Sequence, residues 1–421
     1  MNLLKEDKIN YLNIGLMILT AISAYFFPFE TFLLAYAYLG PLHYLTEISW
    51  LHDRNYFSKG KYDFLILLIV GILLSYAAFA KDFGVSLDVY DYFVKMNLFD
   101  KLLVFALFSS ILFALVKNLI IKIVAILFLF VFVSGWLSPE NSDVNSGSMM
   151  IFALTSLVPT LIHVYLFTGL FMLFGALKSR SKSGLWQIVG FILVPVFLVF
   201  FTPVDAKKSN LTEYGKNAYY ANGDGFFYTN ISILEHFKMV EEPKMTNKQY
   251  LANFVNDTKS KQNIPVVERK RINDSLKGNL DKAYIVEMKG NEFYGKPIPV
   301  KYAFGKYDKE SYWDTVFFSS IGIMLMRFIA FAYLYHYLNW FSKTEVIRWH
   351  KVPKIRFAAV IVLWLGASIF YAYDYSLGLS MLFFLSFTHV LLEFPLNIVS
   401  IVGIGKESYS IATKGFKKTD G

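Results

Sequence analysis

Apolar residues recur along this chain in runs of about twenty, broken by short polar stretches, and not as a stripe repeating every 3.6 residues. Ten such runs stand out, at about 9–27, 30–51, 62–80, 101–117, 118–137, 150–177, 185–202, 313–340, 355–374 and 377–402. Each is long enough to cross a bilayer as a helix. The expected fold is therefore an all-α polytopic integral membrane protein with about ten transmembrane helices. Phe27-Pro28-Phe29 separates the first two runs as a tight hairpin. Runs four and five meet at Lys117-Asn118, where the pattern alone also allows one long bent helix.

This order divides the chain into four sections. Residues 1–202 hold helices one to seven, 203–312 form a polar insert, 313–402 hold helices eight to ten, and 403–421 form a basic tail. The insert opens turn-rich at Asn222-Gly-Asp-Gly225, continues as charged helix, and ends in short strands around Lys289-Gly-Asn291. Its length suits a small α+β domain with its own core.

Charge then sets an orientation. Basic residues crowd the breaks after even-numbered runs: Arg54, Lys59 and Lys61; Lys178, Arg180 and Lys182; Lys343, Arg348, Lys351 and Lys354; Lys406, Lys414, Lys417 and Lys418. The alternate breaks carry Asp82, Asp88 and Asp91, then Glu140 and Asp143, then Asp374. By the positive-inside rule both termini are expected in the cytoplasm of a plasma or inner-membrane protein, with 203–312 extracytoplasmic. The net charge of +9 is thus accounted for by topology, and nucleic acid is not an expected partner. The first run lacks a small-residue cleavage site, so no cleavable signal peptide is expected. With no cysteine in the chain, disulfides, thiolate metal sites and cysteine nucleophiles are excluded.

Candidate chemistry lies inside the apolar runs. Run two ends in Gly40-Pro-Leu-His-Tyr-Leu-Thr-Glu47, where His43 and Glu47 are four residues apart and share a helix face. His389 and Glu393 repeat that spacing in run ten. His163 lies in run six, His336 in run eight, and His52 and His350 at run ends. These six of the seven histidines belong to even-numbered runs, which the expected topology sends from outside to inside. They therefore gather in the midplane and cytoplasmic half. Ionisable groups at that depth are expensive and by default mark function. Pro41, Pro159 and Pro395 stand close by, each able to kink its helix and free a carbonyl. Trp50, Tyr333, Tyr335, Asn339 and Trp340 offer hydrogen-bonding partners at the same level. Arg327 is a further charge in run eight, suited to a carboxylate or phosphate head group of a substrate, or to a carbonyl or carboxylate of the chain itself.

Imidazoles with carboxylates and no thiolate suit a metal, and iron fits a His-rich N/O set ahead of zinc or manganese. His43, His163, His336 and His389 are the expected ligands, with His52 and His350 a shallower second tier. Glu47 and Glu393 would be ligands or catalytic bases. Within hydrocarbon depth the substrate would be a lipid or another hydrophobic molecule, and an iron oxidoreductase of the oxygenase, hydroxylase or desaturase type would also need an electron donor. The arrangement resembles in kind the histidine-rich membrane di-iron desaturases and hydroxylases. Their His-x-x-x-His and His-x-x-His-His boxes are absent, which argues against two-iron chemistry. Ile347-Arg-Trp-His350 resembles the Arg-Trp-His element of membrane-bound O-acyltransferases, which implies group transfer to a lipid with His389 as base. A proton-coupled transporter is the third class, against which stands the absence of a visible inverted repeat.

Overall fold

The computed structural model describes residues 3–78, 89, 92–93, 96–137, 161–204, 211–219, 226, 229–231, 233–234, 236–239, 284–289, 292–299, 315–343 and 347–416. By its contacts the chain forms two compact units. The first comprises Met1–Val204, Asn210–Gly225 and Met324–Gly421, and the second Asp205–Ser209 with Phe226–Ile323. Within the second unit, β1 (Tyr284–Lys289) pairs antiparallel with β2 (Glu292–Pro299), with an irregularity between Ile285 and Glu287. The turn-rich start of the insert, Asn222 to Gly225, and Pro159 lie outside the described residues.

The first unit is helical: α1 (Leu3–Phe26), α2 (Pro28–Leu34), α3 (Gly40–His52), α4 (Phe64–Ala78), α5 (Leu98–Leu115), α6 (Leu119–Trp136), α7 (Thr168–Ser179), α8 (Lys182–Phe200), a short α9 (Glu213–Tyr219), α10 (Ser320–Ser342), α11 (Lys354–Tyr373) and α12 (Tyr375–Lys414). Helix α10 begins in the second unit and continues into the first. Among the described residues, eight helices are long and apolar enough to cross a membrane, the make-up of an integral membrane protein. Among the described residues, two expected runs do not reach that length as single α-helices. Run two is broken by a π-helical turn, Ala35–Leu39, and run three is covered by α4, which has 15 residues.

The π-turn has a local cause. Pro41 has no N–H and would crowd the carbonyl of Ala37, so the ladder shifts and the Gly40 N–H bonds to the Ala35 carbonyl instead. A second π-segment, 161–167, leads directly into α7 and contains His163. Single π-turns within helices recur at functional sites. The Lys117-Asn118 junction is a real break: Asn118 is extended, and its side chain accepts from the Ile120 and Ile121 N–H groups to cap α6.

Helix α12 is the axis of the unit, packing against α3, α4, α5, α7 and α11. Leu67, Val70 and Leu74 of α4, Leu103, Val104 and Phe113 of α5, and Val390, Leu391 and Phe394 of α12 share one buried apolar cluster. Lipid offers little hydrophobic drive between helices, so close backbone approach matters. At Gly71 a Cβ would lie 2.7 Å from the Thr388 hydroxyl, so glycine there lets α4 and α12 meet without displacing that side chain. With 40 residues, α12 is about 60 Å long, twice the hydrocarbon thickness. It therefore runs on through most of the stretch expected as a separate tail.

Candidate metal centre

Four histidines from four parts of the chain meet in the first unit. The ring of His43 is 4.6 Å from His336 and 5.5 Å from His389, and His163 is 5.0 Å from each of those two. The four imidazoles thus close a ring, all buried. Helix α3 delivers His43 with Glu47 one turn on, the π-segment before α7 delivers His163, α10 delivers His336, and α12 delivers His389 with Glu393.

The nitrogen spacings match those of donors around one ion. His43 Nε2 lies 2.9 Å from His336 Nε2 and 2.9 Å from Glu47 Oε2, and His163 Nε2 lies 3.2 Å from His389 Nε2. With metal–nitrogen bonds of about 2.1 Å, neighbouring donors stand roughly 3.0 Å apart in an octahedron and roughly 3.4 Å apart in a tetrahedron. Two overlapping triads, His43 with His163 and His336, and His43 with Glu47 and His389, each keep their ligand atoms within 4.8 Å of one another. His43 belongs to both.

One tautomer can be assigned. With the Thr168 hydroxyl proton given to the Val164 carbonyl at 3.0 Å, Thr168 accepts from His336 Nδ1 at 2.6 Å. His336 therefore carries its proton on Nδ1 and turns the Nε2 lone pair toward His43. That is how a metal-binding imidazole is oriented by its outer partner. His163 Nδ1 lies 2.9 Å from Glu393 Oε2. That contact is short but not aligned as a hydrogen bond, and both atoms lack any hydrogen-bond partner. Glu47 Oε2 is likewise buried without one. Carboxylate oxygens without a hydrogen bond at this depth are costly, and a cation between them and the imidazoles would remove the cost.

Aromatic residues wall the cluster. Tyr44 stacks on His389 at 4.3 Å, and its hydroxyl meets that of Tyr337 at 3.0 Å. Trp340 stands 5.2 Å from His43 and donates its Nε1–H to Thr46 Oγ1 at 3.0 Å. Of the other partners expected from sequence, Tyr335 accepts from Gln187 at 3.0 Å.

The remaining expected site residues are placed elsewhere. His52 is exposed at the end of α3, with Nδ1 3.4 Å from the Tyr56 hydroxyl, and His350 is exposed before α11. Neither joins a triad. Both stand exposed at helix ends, whereas the four clustered histidines are buried. Arg327 donates to the Thr202 hydroxyl at 2.8 Å and to the Pro203 carbonyl at 3.1 Å, and it lies over the Tyr25 ring. Its protein partners are thus a hydroxyl and a carbonyl, not Glu47 or Glu393, and it stands nine residues, about 13 Å, along α10 from His336.

Comparison with known proteins brings no relative. No family model matches the chain, and neither curated proteins nor solved structures give a match. The chemistry must be argued from the site. Sequence reasoning missed Thr168 and Tyr44. Their signal was weak: Thr168 is five residues from His163, off its helical face in an ordinary α-helix, and only the bonding pattern reveals its role.

Proposed function

We propose that this chain is an integral membrane metalloenzyme, a non-haem-iron oxidoreductase acting on a lipid-soluble substrate. The observation that carries the reading is the closed ring of four buried imidazoles with two buried carboxylates, each 2.9 Å from an imidazole nitrogen yet without a hydrogen bond at that oxygen. Iron is preferred to zinc or manganese because the donors are mostly imidazole with carboxylate and no thiolate. When bound, iron would supply the means to activate dioxygen with electrons from a donor partner.

The chain's own groups would do the rest. His43, His163, His336 and His389 would hold the ion, with Thr168 keeping His336 in the tautomer that can bind. Glu47 and Glu393 offset its charge, and either can take up or return a proton near the reacting carbon. Tyr44 and Trp340 exclude bulk water from two sides. Arg327 remains a proposed anchor for a substrate head group, with its guanidinium already shared between Thr202 and Pro203. We place the termini and the cluster end of the even-numbered runs on the cytoplasmic side, following the basic loops, with 203–312 opposite. A compartment reporter after Gly421 should read cytoplasmic.

The deciding experiment is elemental analysis of detergent-purified protein prepared without chelator. About one transition-metal ion per chain, chiefly iron, is expected. Protein that carries none and binds none on titration would sink the reading and leave group transfer or proton-coupled transport, neither of which needs a resident metal.

A further inference from the structure

Beyond the cluster, α12 continues a polar face that the proposed chemistry does not use. His389, Glu393, Asn397 and Ser400 follow one another at steps of four, four and three residues, so they lie on one side of the helix. All four are buried, Asn397 at 3% exposure and Ser400 at 1%. Both amide atoms of Asn397 and the hydroxyl of Ser400 lack any hydrogen-bond partner in the protein. The same face reaches Glu407 and Ser410, which bind Arg180: its guanidinium donates to Glu407 Oε2 at 2.8 Å and to Ser410 Oγ at 3.2 Å. There the helix is partly exposed.

A buried amide has capacity for about four hydrogen bonds, and leaving them all unmade costs several kcal/mol. Native proteins satisfy such groups with bound water where no side chain serves. We infer that the Asn397–Ser400 face of α12 is a hydrated path joining the histidine cluster to the aqueous phase at the Arg180–Glu407 end. Neutral amide and hydroxyl groups suit water, and protons carried along it, whereas an apolar substrate gains nothing there. A site buried among aromatic walls needs such a connection, because reduction of dioxygen consumes protons that hydrocarbon cannot deliver. Phe174 of α7 stands against this end of the face. Its ring packs so closely on Gly403, one turn short of Glu407, that a Cβ there would overlap it.

The inference rests on the metal reading for its destination, but its test does not. The chain has no cysteine, so single cysteines can be introduced without background. Ser400→Cys and Asn397→Cys, purified in detergent, should react with 2-sulfonatoethyl methanethiosulfonate at least ten times faster than Leu391→Cys, which lies in the apolar cluster on the opposite side of α12. Ser400→Cys replaces one atom and should keep the fold, and Asn397→Cys repeats the test one turn deeper. Adding Phe174→Ala should speed the reaction at both positions several-fold. Cysteines at 397 and 400 as inert as that at 391 would overturn the path, and an unchanged rate with Phe174→Ala would overturn this exit. Inert cysteines in a protein that binds metal would sink the path alone, whereas reactive cysteines in one that binds none would sink the metal reading alone.

Discussion

Two buried ionic clusters lie in the same helical unit, and they are built on opposite terms. In the first, Asp63 Oδ2 accepts from Lys122 Nζ at 2.5 Å, Ser58 Oγ at 2.6 Å and the Gly60 N–H at 2.9 Å. Charge is balanced one to one, and that oxygen is fully used. In the second, four imidazoles and two carboxylates face one another, and Oε2 of both Glu47 and Glu393 is left without a hydrogen bond. The first cluster is complete within the chain, whereas the second offers a donor set that could hold a metal ion. Burial does not separate them, since Lys122 and His163 are equally hidden. What separates them is whether the donors and acceptors present suffice for one another.

The comparison breaks first at His43, where the largest effect is expected. It stands in both triads, so His43→Ala should take the metal from about one ion per chain to none, as water cannot replace an imidazole in a dry pocket. In chelator, where the site holds nothing, thermal stability of that variant should equal or exceed that of the natural chain. A variant that kept its metal, or that unfolded in chelator while the natural chain did not, would show the cluster to be structural like the first.

Lys122→Met tests the other side. It leaves Asp63 charged and buried, and removal of one partner of such a pair costs about 3–5 kcal/mol. The loss should be amplified locally, because Asn55, Tyr56 and Phe57 all hold left-handed backbone in the turn before Asp63. Metal per folded chain should stay at the natural level, and Asp63→Asn with Lys122→Met should be more stable than Lys122→Met alone. If the single variant melted with the natural protein, completeness would not be what makes the pair structural.

A smaller effect is expected at Thr168, which touches the site only through His336. Thr168→Val keeps the volume and removes the acceptor for Nδ1–H, so metal affinity should fall roughly 10–100-fold, about 1.4–2.8 kcal/mol. Thr168→Ser should restore it. Failure of serine to rescue would mean that the hydroxyl does not set the tautomer.

How far this contrast is legible in sequence differs between its halves. His43 with Glu47 and His389 with Glu393 announce themselves, because ionisable residues inside long apolar runs have few structural excuses. That His163 and His336 complete the ring was expected from helix parity, a coarse rule that reports depth and nothing of rotation about each axis. Lys122 gave no such signal. It sits four residues into α6, within reach of an interface, and its partner is 59 residues away. Likewise the apolar periods located most helices but not the π-turns, since a shift of one hydrogen bond leaves hydropathy unchanged. Pro41 is the visible cause of one of them, legible only once the helix is known to continue past it.

The smallest effect concerns the two histidines that the sequence offered and the structure sets apart. His52 and His350 are exposed, and water already satisfies groups at such positions. His52→Ala gives up one long contact with the Tyr56 hydroxyl, worth a few tenths of a kcal/mol at an exposed site. Neither substitution should change metal stoichiometry, and metal affinity should move less than twofold in each. The double variant decides more than either single one, since a weak loading site shared by the two would show only there. A fall of tenfold or more in metal affinity would bring these helix ends into the site.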